Sequence, residues 1–236
     1  MSLFDRLSFS KQNYHVPIWE RINLDRPVRL KPLRCLGCKS LIISSWRICP
    51  QCGFTLSLVK TENNHCIWIN AEALSSSAID KSIIVEVLED AFAKVFSAFR
   101  SIHVFLTSDL PDTKRWGENF TYLGLIIDRE DVDYLGIASF REGAVTDRAI
   151  VRLDQIISIS ERVNLSPSQL SNLIANTIAH EIGHTLGLDH SILPADVMHD
   201  GLDHRIHSLM PPSFHAEQIT RMNYAIYQHA SHNKNI

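Results

Sequence analysis

The chain has 236 residues, of which 45% are hydrophobic and 21% charged, with 9 Gly and 9 Pro. This composition is typical of a packed globular protein and excludes disordered, collagen-like and low-complexity chains. The sequence contains no apolar run of about 18–20 residues that could span a bilayer, and no signal-peptide core. We therefore expect a cytoplasmic protein with no membrane partner.

The net charge of −3 conceals a difference between the two parts of the chain. Residues 1–60 contain ten Lys and Arg against three acidic residues, whereas the remainder contains 13 basic and 23 acidic residues. Such a basic segment can bind nucleic acid, an acidic protein or the acidic body of its own chain, although solvation alone also explains it. Its aromatic residues have no repeated spacing that would indicate a base-stacking platform. We assign residues 1–32 to a basic N-terminal arm.

Four of the five cysteines form two Cys-x2-Cys pairs that are separated by ten residues. The pairs are Cys35 with Cys38 and Cys49 with Cys52. Each pair directs two thiolates at one point, and together they complete the tetrahedral sulfur shell of a structural zinc. Two disulfides are the alternative, but the odd cysteine count favours a reducing compartment. The pattern resembles zinc ribbons and predicts one over residues 33–58, without specifying its protein or nucleic-acid partner.

From residue 62 to residue 236 the pattern predicts a larger α/β domain. A helix is expected over Ile79–Phe99, because its apolar residues recur every four positions. Cys66 lies in the first strand, where we expect it to be a core residue. The five predicted strands are residues 65–70, Ile102–Leu106, Tyr122–Ile127, Leu135–Phe140 and Ala149–Leu153.

The next predicted helix has a capping box at its start. Ser166 is the expected N-cap, Pro167 occupies the first helical position, and Gln169 stands three residues after the cap. The helix should continue to about Leu186, and Gly187 can adopt the left-handed conformation that ends it.

This helix ends in the motif His-Glu-x-x-His-x-x-Gly-x-x-His over residues 180–190. Histidines at i and i+4 lie on one helical face, so His180 and His184 can bind one zinc ion. A turn at Gly187 can return His190 as a third nitrogen ligand, leaving the fourth position to water. Zinc lowers the pKa of bound water, and Glu181 can then take its proton as general base.

The extended motif resembles the metzincin metallopeptidases, and within them the matrixins most closely. Met198 comes eight residues after His190, as in the matrixin segment that leads to the Met-turn. The resemblance implies that Met198 packs beneath the zinc site. It also implies a five-stranded twisted mixed sheet with a backing helix, an active-site helix and a C-terminal helix. The antiparallel edge strand would then contain Gly136, Ile137, Ala138 and Ser139 and bind a polypeptide substrate.

The chain departs from the matrixin pattern in the region between Asp109 and Gly136. Its acidic residues there, Asp112, Asp128, Asp131 and Asp133, lack the histidines of a second structural zinc. Calcium at these acids is the alternative to simple solvation, which we favour. Archaemetzincins, the second resemblance, place cysteines after the third ligand and near the Met-turn, where this chain has Ser191 and Asp196.

The sequence as a whole predicts a zinc-dependent endopeptidase with one catalytic and one structural zinc. The alternative is a non-proteolytic binding or scaffold protein that uses the zinc ribbon and basic arm, although such a scaffold would be expected to lose Glu181 first. His199, beside the Met-turn, is a candidate for substrate contact. We expect Ser213 to cap the last helix, with Ile219, Met222 and Ile226 as its buried stripe.

Overall fold

A computed structural model describes residues 65–71, 81–108, 110–111, 120–127, 133–201 and 203–233. The predicted basic arm and zinc ribbon, with Cys35, Cys38, Cys49 and Cys52, lie outside these residues, as do Asp112, Asp128 and Asp131. The proposed domain boundaries, the structural zinc and the calcium alternative therefore stay predictions. Among the described residues, no helix combines the length and apolarity needed to cross a bilayer.

The five predicted strands form one mixed sheet in the order β2-β1-β3-β5-β4. Four strands are parallel, and only β4 runs antiparallel, paired with β5 at one edge. The predicted fold class, a mixed five-stranded sheet with helices, is confirmed. The strands are β1 (His65–Asn70), β2 (Val104–Thr107), β3 (Phe120–Ile126), β4 (Gly136–Ala138) and β5 (Arg148–Arg152).

Five α-helices accompany the sheet in the described part of the chain. The predicted first, active-site and C-terminal helices are confirmed as α1, α3 and α5. The helices are α1 (Lys81–Ala98, continued by a 3-10 turn over Phe99–Ser101), α2 (Leu153–Val163), α3 (Pro167–Thr185), α4 (His204–His207) and α5 (Ala216–Asn233).

Two sequence predictions about helices are wrong. The sequence predicts Leu153 in a strand, but this residue begins α2, which follows β5 without a turn and has no side-chain cap to mark its start. The sequence also predicts Ser213 as the cap of the last helix, but that helix begins at Ala216. The His215 N–H donates to Oε1 of Gln218 at 2.8 Å, so a glutamine side chain satisfies the backbone at this helix end.

One continuous apolar core joins the sheet to α1, α3 and α5. Helix α1 packs against α3, and residues 171–185 of α3 are buried on every side. Cys66 is completely buried, as expected of a core residue, and Met222 and Ile226 bring α5 into the same core. Because α3 is enclosed by its neighbours, its polar side chains depend on hydrogen-bond partners within the protein.

The predicted capping box at the start of α3 is present. Oγ of Ser166 accepts from the Gln169 N–H at 3.4 Å, and Oε1 of Gln169 accepts from the Ser166 N–H at 2.9 Å. These reciprocal bonds satisfy two backbone donors that the helix itself cannot satisfy.

Ser166→Ala should therefore lower the free energy of unfolding by about 1 kcal/mol, because it removes one of these acceptors. Denaturant unfolding measures the effect. Ser168→Ala, at an exposed position of the same first turn, is the matched control and should change stability much less. Equal losses in both variants would contradict the role of the cap.

Candidate active site

Helix α3 carries a stripe of four polar residues that are spaced four positions apart. The stripe consists of Asn172, Asn176, His180 and His184, all of them buried. Nδ2 of Asn172 donates to the Ser208 carbonyl at 2.8 Å. Nδ2 of Asn176 lies 2.9 Å from the carbonyl oxygen of His207 and 2.8 Å from that of Met210. The asparagines thus hold the chain before α5 against α3, while the histidines form the functional end of the stripe.

The three motif histidines converge through their Nε2 atoms. Nε2 of His184 lies 3.0 Å from Nε2 of His180 and 3.0 Å from Nε2 of His190. Two zinc-bound nitrogens at bond lengths of ~2.0–2.1 Å and a tetrahedral angle would lie about 3.3 Å apart. The cluster is the only group of three possible metal ligands in the described part of the chain.

The hydrogen bonds of the two helical histidines identify the atoms that face the metal position. Nδ1 of His180 lies 2.8 Å from the Val197 carbonyl, and Nδ1 of His184 lies 2.8 Å from the Leu188 carbonyl. A carbonyl can only accept, so both Nδ1 atoms carry the proton and both Nε2 atoms present lone pairs. Facing lone pairs repel one another, whereas a bound cation would be attracted to all of them. The residues present therefore fit a metal ion.

Burial keeps these imidazoles neutral. Burial, with a smaller contribution from His184, lowers the pKa of His180 to about 3. Burial is also the largest cause of the lowered pKa of His184. Neutral imidazole is the form that binds metal, so neither side chain has to lose a proton at pH 7 before binding.

The third histidine returns to the cluster because α3 ends at a sharp turn. Gly187 has φ of 84°, and a Cβ there would lie 2.7 Å from the backbone nitrogen of Ala144. The loop between β4 and β5 secures this turn, since the Gly143 N–H donates to the Gly187 carbonyl at 3.1 Å. The turn therefore requires glycine for both its conformation and its close approach to the loop.

Glu181 is buried beside the edge strand, with only 4% of its surface exposed. Burial raises its pKa to about 8 in the absence of metal. Its side chain lies directly on the α-carbon of Gly136, where a Cβ would be 2.6 Å from Cγ and 2.7 Å from Cδ of Glu181 and would overlap its Oε1. A side chain at position 136 would therefore displace the glutamate.

Strand β4 leaves part of its backbone open at the edge of the sheet. The Arg152 N–H donates to the Leu135 carbonyl, and the Ser139 N–H donates to the Arg148 carbonyl, both at 2.8 Å. Because hydrogen-bonded residues alternate along an antiparallel pair, Ile137 also directs its backbone groups towards β5. Gly136 and Ala138 consequently direct their N–H and C=O groups away from β5, towards the open edge.

The histidines, Glu181 and β4 line one cleft of about 640 Å³. No Lys or Arg is among the described residues that line it. The predicted strand and motif residues are thus brought together, except Ser139, which is not part of the lining. The other lining residues are Asp133, Tyr134, Leu135, Phe140, Ile159, Asp189, Asp200 and Gly201.

The remaining predicted residues have different positions. Met198 is completely buried and packs against Gly183, between the two helical histidines in sequence. His199 does not line the cleft, and its buried Nδ1 has no hydrogen-bond partner among the described residues.

Sequence reasoning missed several residues of the site. Asn176 could have been found, because it stands four residues before His180 on the same helical face. The Phe140 ring stacks edge-on against His184 with centroids 5.5 Å apart, and Ile159 of the unpredicted α2 lines the cleft. No local pattern identifies these last two contacts.

Comparison with known proteins relates part of the chain to metallopeptidases. Residues 102–191 match the model of the reprolysin-like metallopeptidase family M12B. This match and the converging histidines support a zinc metallopeptidase. No curated protein matches the chain significantly.

Several solved structures have a similar course of the chain. An archaemetzincin from Methanopyrus kandleri is 16% identical with a TM-score of 0.45, over 72% of this chain and 99% of that one. The archaemetzincin from Archaeoglobus fulgidus, complexed with malonate, is 20% identical with a TM-score of 0.39, over 66% and 99% of the two chains. A zinc-dependent peptidase from Methanocorpusculum labreanum is 15% identical with a TM-score of 0.46, over 66% and 100%. The narrower resemblance to matrixins stays a prediction.

The burial of Glu181 predicts a pH-dependent stability of the metal-free protein. Its pKa is about 8 when folded and 4.5 ordinarily. Between these values the folded protein keeps a proton that the unfolded chain has lost, so the free energy of unfolding should fall as pH rises. Glu181→Gln should flatten this fall, whereas the exposed Glu161→Gln should not. Denaturant unfolding of the chelator-treated proteins between pH 4.5 and about 8 measures this fall. Parallel plots of unfolding free energy against pH for wild type and Glu181→Gln would contradict the raised pKa of Glu181.

Proposed function

We propose that the protein is a zinc-dependent endopeptidase that hydrolyses internal peptide bonds with Glu181 as general base. The observation that carries this proposal is the meeting, in one cleft, of three converging imidazoles, a buried glutamate and an open strand edge. Each of the three supplies a different requirement of peptide hydrolysis, namely ligands for an electrophilic metal ion, a proton acceptor and a means of aligning an extended chain.

His180, His184 and His190 would hold the catalytic zinc through their Nε2 atoms. Zinc in an open three-nitrogen site lowers the pKa of water and polarises a substrate carbonyl. The Val197 and Leu188 carbonyls orient the two helical imidazoles, because each accepts an Nδ1–H.

Glu181 would take the proton of the attacking water and deliver it to the leaving amine. The raised pKa of the metal-free carboxyl results from burial, and a cation bound in the same cleft favours its ionised form. Burial thus makes the carboxylate more basic, and the cation acts in the opposite direction. This environment suits a group that must accept a proton and later return it near neutral pH.

The edge of β4 would bind the substrate as an added strand. The backbone groups of Gly136 and Ala138 supply the hydrogen bonds, while Ile137 and Ser139 keep theirs turned towards β5. Of the four residues predicted from sequence, two therefore contribute binding groups from the backbone and two support the strand. Because the strand recognises only the substrate main chain, the cleft walls determine which substrate side chains are preferred.

The charges of the cleft argue against a carboxypeptidase. A carboxypeptidase needs a cation to pair with the terminal carboxylate of its substrate, and the described lining contains no Lys or Arg. The acidic residues Asp133, Asp189 and Asp200 could instead attract a free amino terminus. Blocked substrates distinguish an endopeptidase from an aminopeptidase.

The predicted zinc ribbon and basic arm add a structural zinc and a surface for a protein or nucleic-acid partner to this proposal. Cys35, Cys38, Cys49 and Cys52 would hold that zinc, and a cytoplasmic location would keep their thiols reduced. The full chain should then contain two zinc ions, one bound by sulfur and one by nitrogen. The scaffold alternative predicts the same metals without hydrolysis.

Cleavage of a peptide library that is acetylated and amidated at its ends tests the proposal. Wild type should cut internal bonds, and Glu181→Ala should cut about 10²–10⁴ times more slowly, because proton transfer is lost. The zinc content of the two proteins should be equal. Equal rates would contradict Glu181 as base, cleavage only of peptides with a free amino terminus would indicate an aminopeptidase, and no cleavage by a zinc-loaded wild type would favour the scaffold.

Gly136→Ala should reduce peptidase activity by displacing Glu181, without removing a ligand. The new methyl group would overlap the glutamate carboxyl, so kcat should fall at least ten-fold while zinc content stays at the wild-type level. Ser139→Ala, on the same chain segment but outside the cleft lining, is the control and should retain activity. Wild-type kcat in Gly136→Ala would show that the contact does not position the base.

A further inference from the structure

The turn that contains Met198 touches the histidine site at two points and is closed by a backbone bond of its own. The Val197 carbonyl accepts from Nδ1 of His180 at 2.8 Å, and the Met198 carbonyl accepts from the Ser191 N–H at 2.8 Å. The Met198 thioether packs on the α-carbon of Gly183, where a Cβ would overlap Sδ and lie 3.1 Å from Cε. Residues 191–199, which we call the Met198 turn, therefore contact Gly183, the sequence neighbour of His184. They also orient His180 directly through the Val197 carbonyl.

Asp196 holds this turn together from within. The Asp196 N–H donates to the Leu193 carbonyl, and the Asp196 carbonyl accepts from the His199 N–H, both at 3.0 Å. Its carboxylate accepts from the Met198 N–H at 2.8 Å. Nε2 of His207 also lies 3.0 Å from the Asp196 carbonyl oxygen. Both the backbone and the side chain of Asp196 thus serve the turn.

The Asp196 carboxylate is 6% exposed and is satisfied chiefly by an amide from another element. Nε2 of Gln218, on α5, lies 3.0 Å from Oδ1 and 3.1 Å from Oδ2 of Asp196. Burial alone would raise the pKa of Asp196, but the bonds from Gln218, Met198 and Ser191 lower it below the ordinary value. His215 stands 3.7 Å away and is largely exposed, so it contributes less.

The orientation of the Gln218 amide is determined by its other partner. Oε1 accepts from the His215 N–H at the start of α5, which leaves the NH2 group to face the carboxylate. Gln218 consequently joins the first turn of α5 to the Met198 turn. Neither Gln218 nor Asp196 lies within the segment that matches the metallopeptidase family, which ends at residue 191.

We propose that Asp196 and Gln218 are positioning residues that hold the Met198 turn against α3 and thereby strengthen zinc binding by the three histidines. The inference rests on the proposed function for its metal. Its structural path runs from the Gln218 amide through the Asp196 carboxylate to the adjacent Val197 carbonyl, and from there to His180. If the turn shifts, Nδ1 of His180 loses its acceptor, and the ring loses the bond that directs Nε2 towards the metal. Loss of such outer partners typically weakens metal binding 10–100-fold.

The pair can be tested by exchanging its hydrogen-bond polarity. Asp196→Asn would oppose an NH2 group to the Gln218 NH2, and Gln218→Glu would oppose two carboxylates. The double variant restores complementarity, because the introduced asparagine can donate to the introduced glutamate and still accept from the Met198 N–H. The introduced glutamate can also keep the bond to the His215 N–H, and the net charge equals that of wild type.

The measurement is zinc affinity of the full chain in competition with a chelator. His184→Ala defines zinc held outside the histidine site. We expect each single variant to bind zinc at the histidine site at least ten-fold more weakly than wild type, and the double variant to regain most of that loss. Thermal unfolding of the metal-free proteins separates the two roles. A purely structural role would lower the metal-free Tm and leave the zinc affinity unchanged.

Each result decides the inference. Unchanged zinc affinity in the single variants, with or without a lower metal-free Tm, would overturn it. A double variant as weak as the singles would also overturn it. If a single variant does not fold, the zinc affinity of the double variant is compared with that of wild type. A double variant that binds zinc much more weakly than wild type would then overturn the inference. If wild type binds no more zinc than His184→Ala, the proposed function fails together with this inference; if zinc loads but peptides are not cut, only the peptidase assignment fails.

Discussion

The close approach of three imidazole nitrogens is the interaction on which the other features of the site depend. Nε2 of His184 lies 3.0 Å from its two counterparts, and the Nε2 lone pairs of His180 and His184 repel one another in the absence of a cation. Backbone carbonyls orient two of the rings, the Gly187 turn returns the third, and the buried helix α3 supplies the rigid base. Much of the surrounding fold therefore maintains an arrangement of nitrogen atoms that a metal ion would stabilise.

The sequence predicts those parts of the structure that are encoded over short distances. The capping box at Ser166 and the spacing of His180 and His184 follow from helical geometry alone, and both are present in α3. The five strands are also predicted, because apolar runs between turn residues are a local signal. The first strand matches its predicted ends, and the ends of the other four differ by one or two residues, since tertiary pairing decides where a strand stops.

Contacts between distant segments could not be predicted in the same way. Helix α2 begins at Leu153, immediately after β5, and no cap or turn residue marks the change. The edge position of β4 is expected only from the family resemblance, because strand order is not encoded in periodicity. The bond between Asp196 and Gln218 joins residues 22 positions apart. Only the packing of α5 against the Met198 turn brings them together.

Two buried carboxyl groups beside the same site show how neighbouring hydrogen-bond donors change the pKa of a carboxyl group. Glu181 is 4% exposed and Asp196 is 6% exposed, so burial alone would raise both pKa values. The pKa of Glu181 rises to about 8, with burial as its only resolved cause, whereas hydrogen bonds from Gln218, Met198 and Ser191 lower that of Asp196. The first group can exchange a proton near neutral pH, while the second stays an anion that orders the turn beneath the histidines. Burial without donors therefore leaves Glu181 able to exchange a proton near neutral pH, whereas hydrogen-bond donors keep Asp196 ionised.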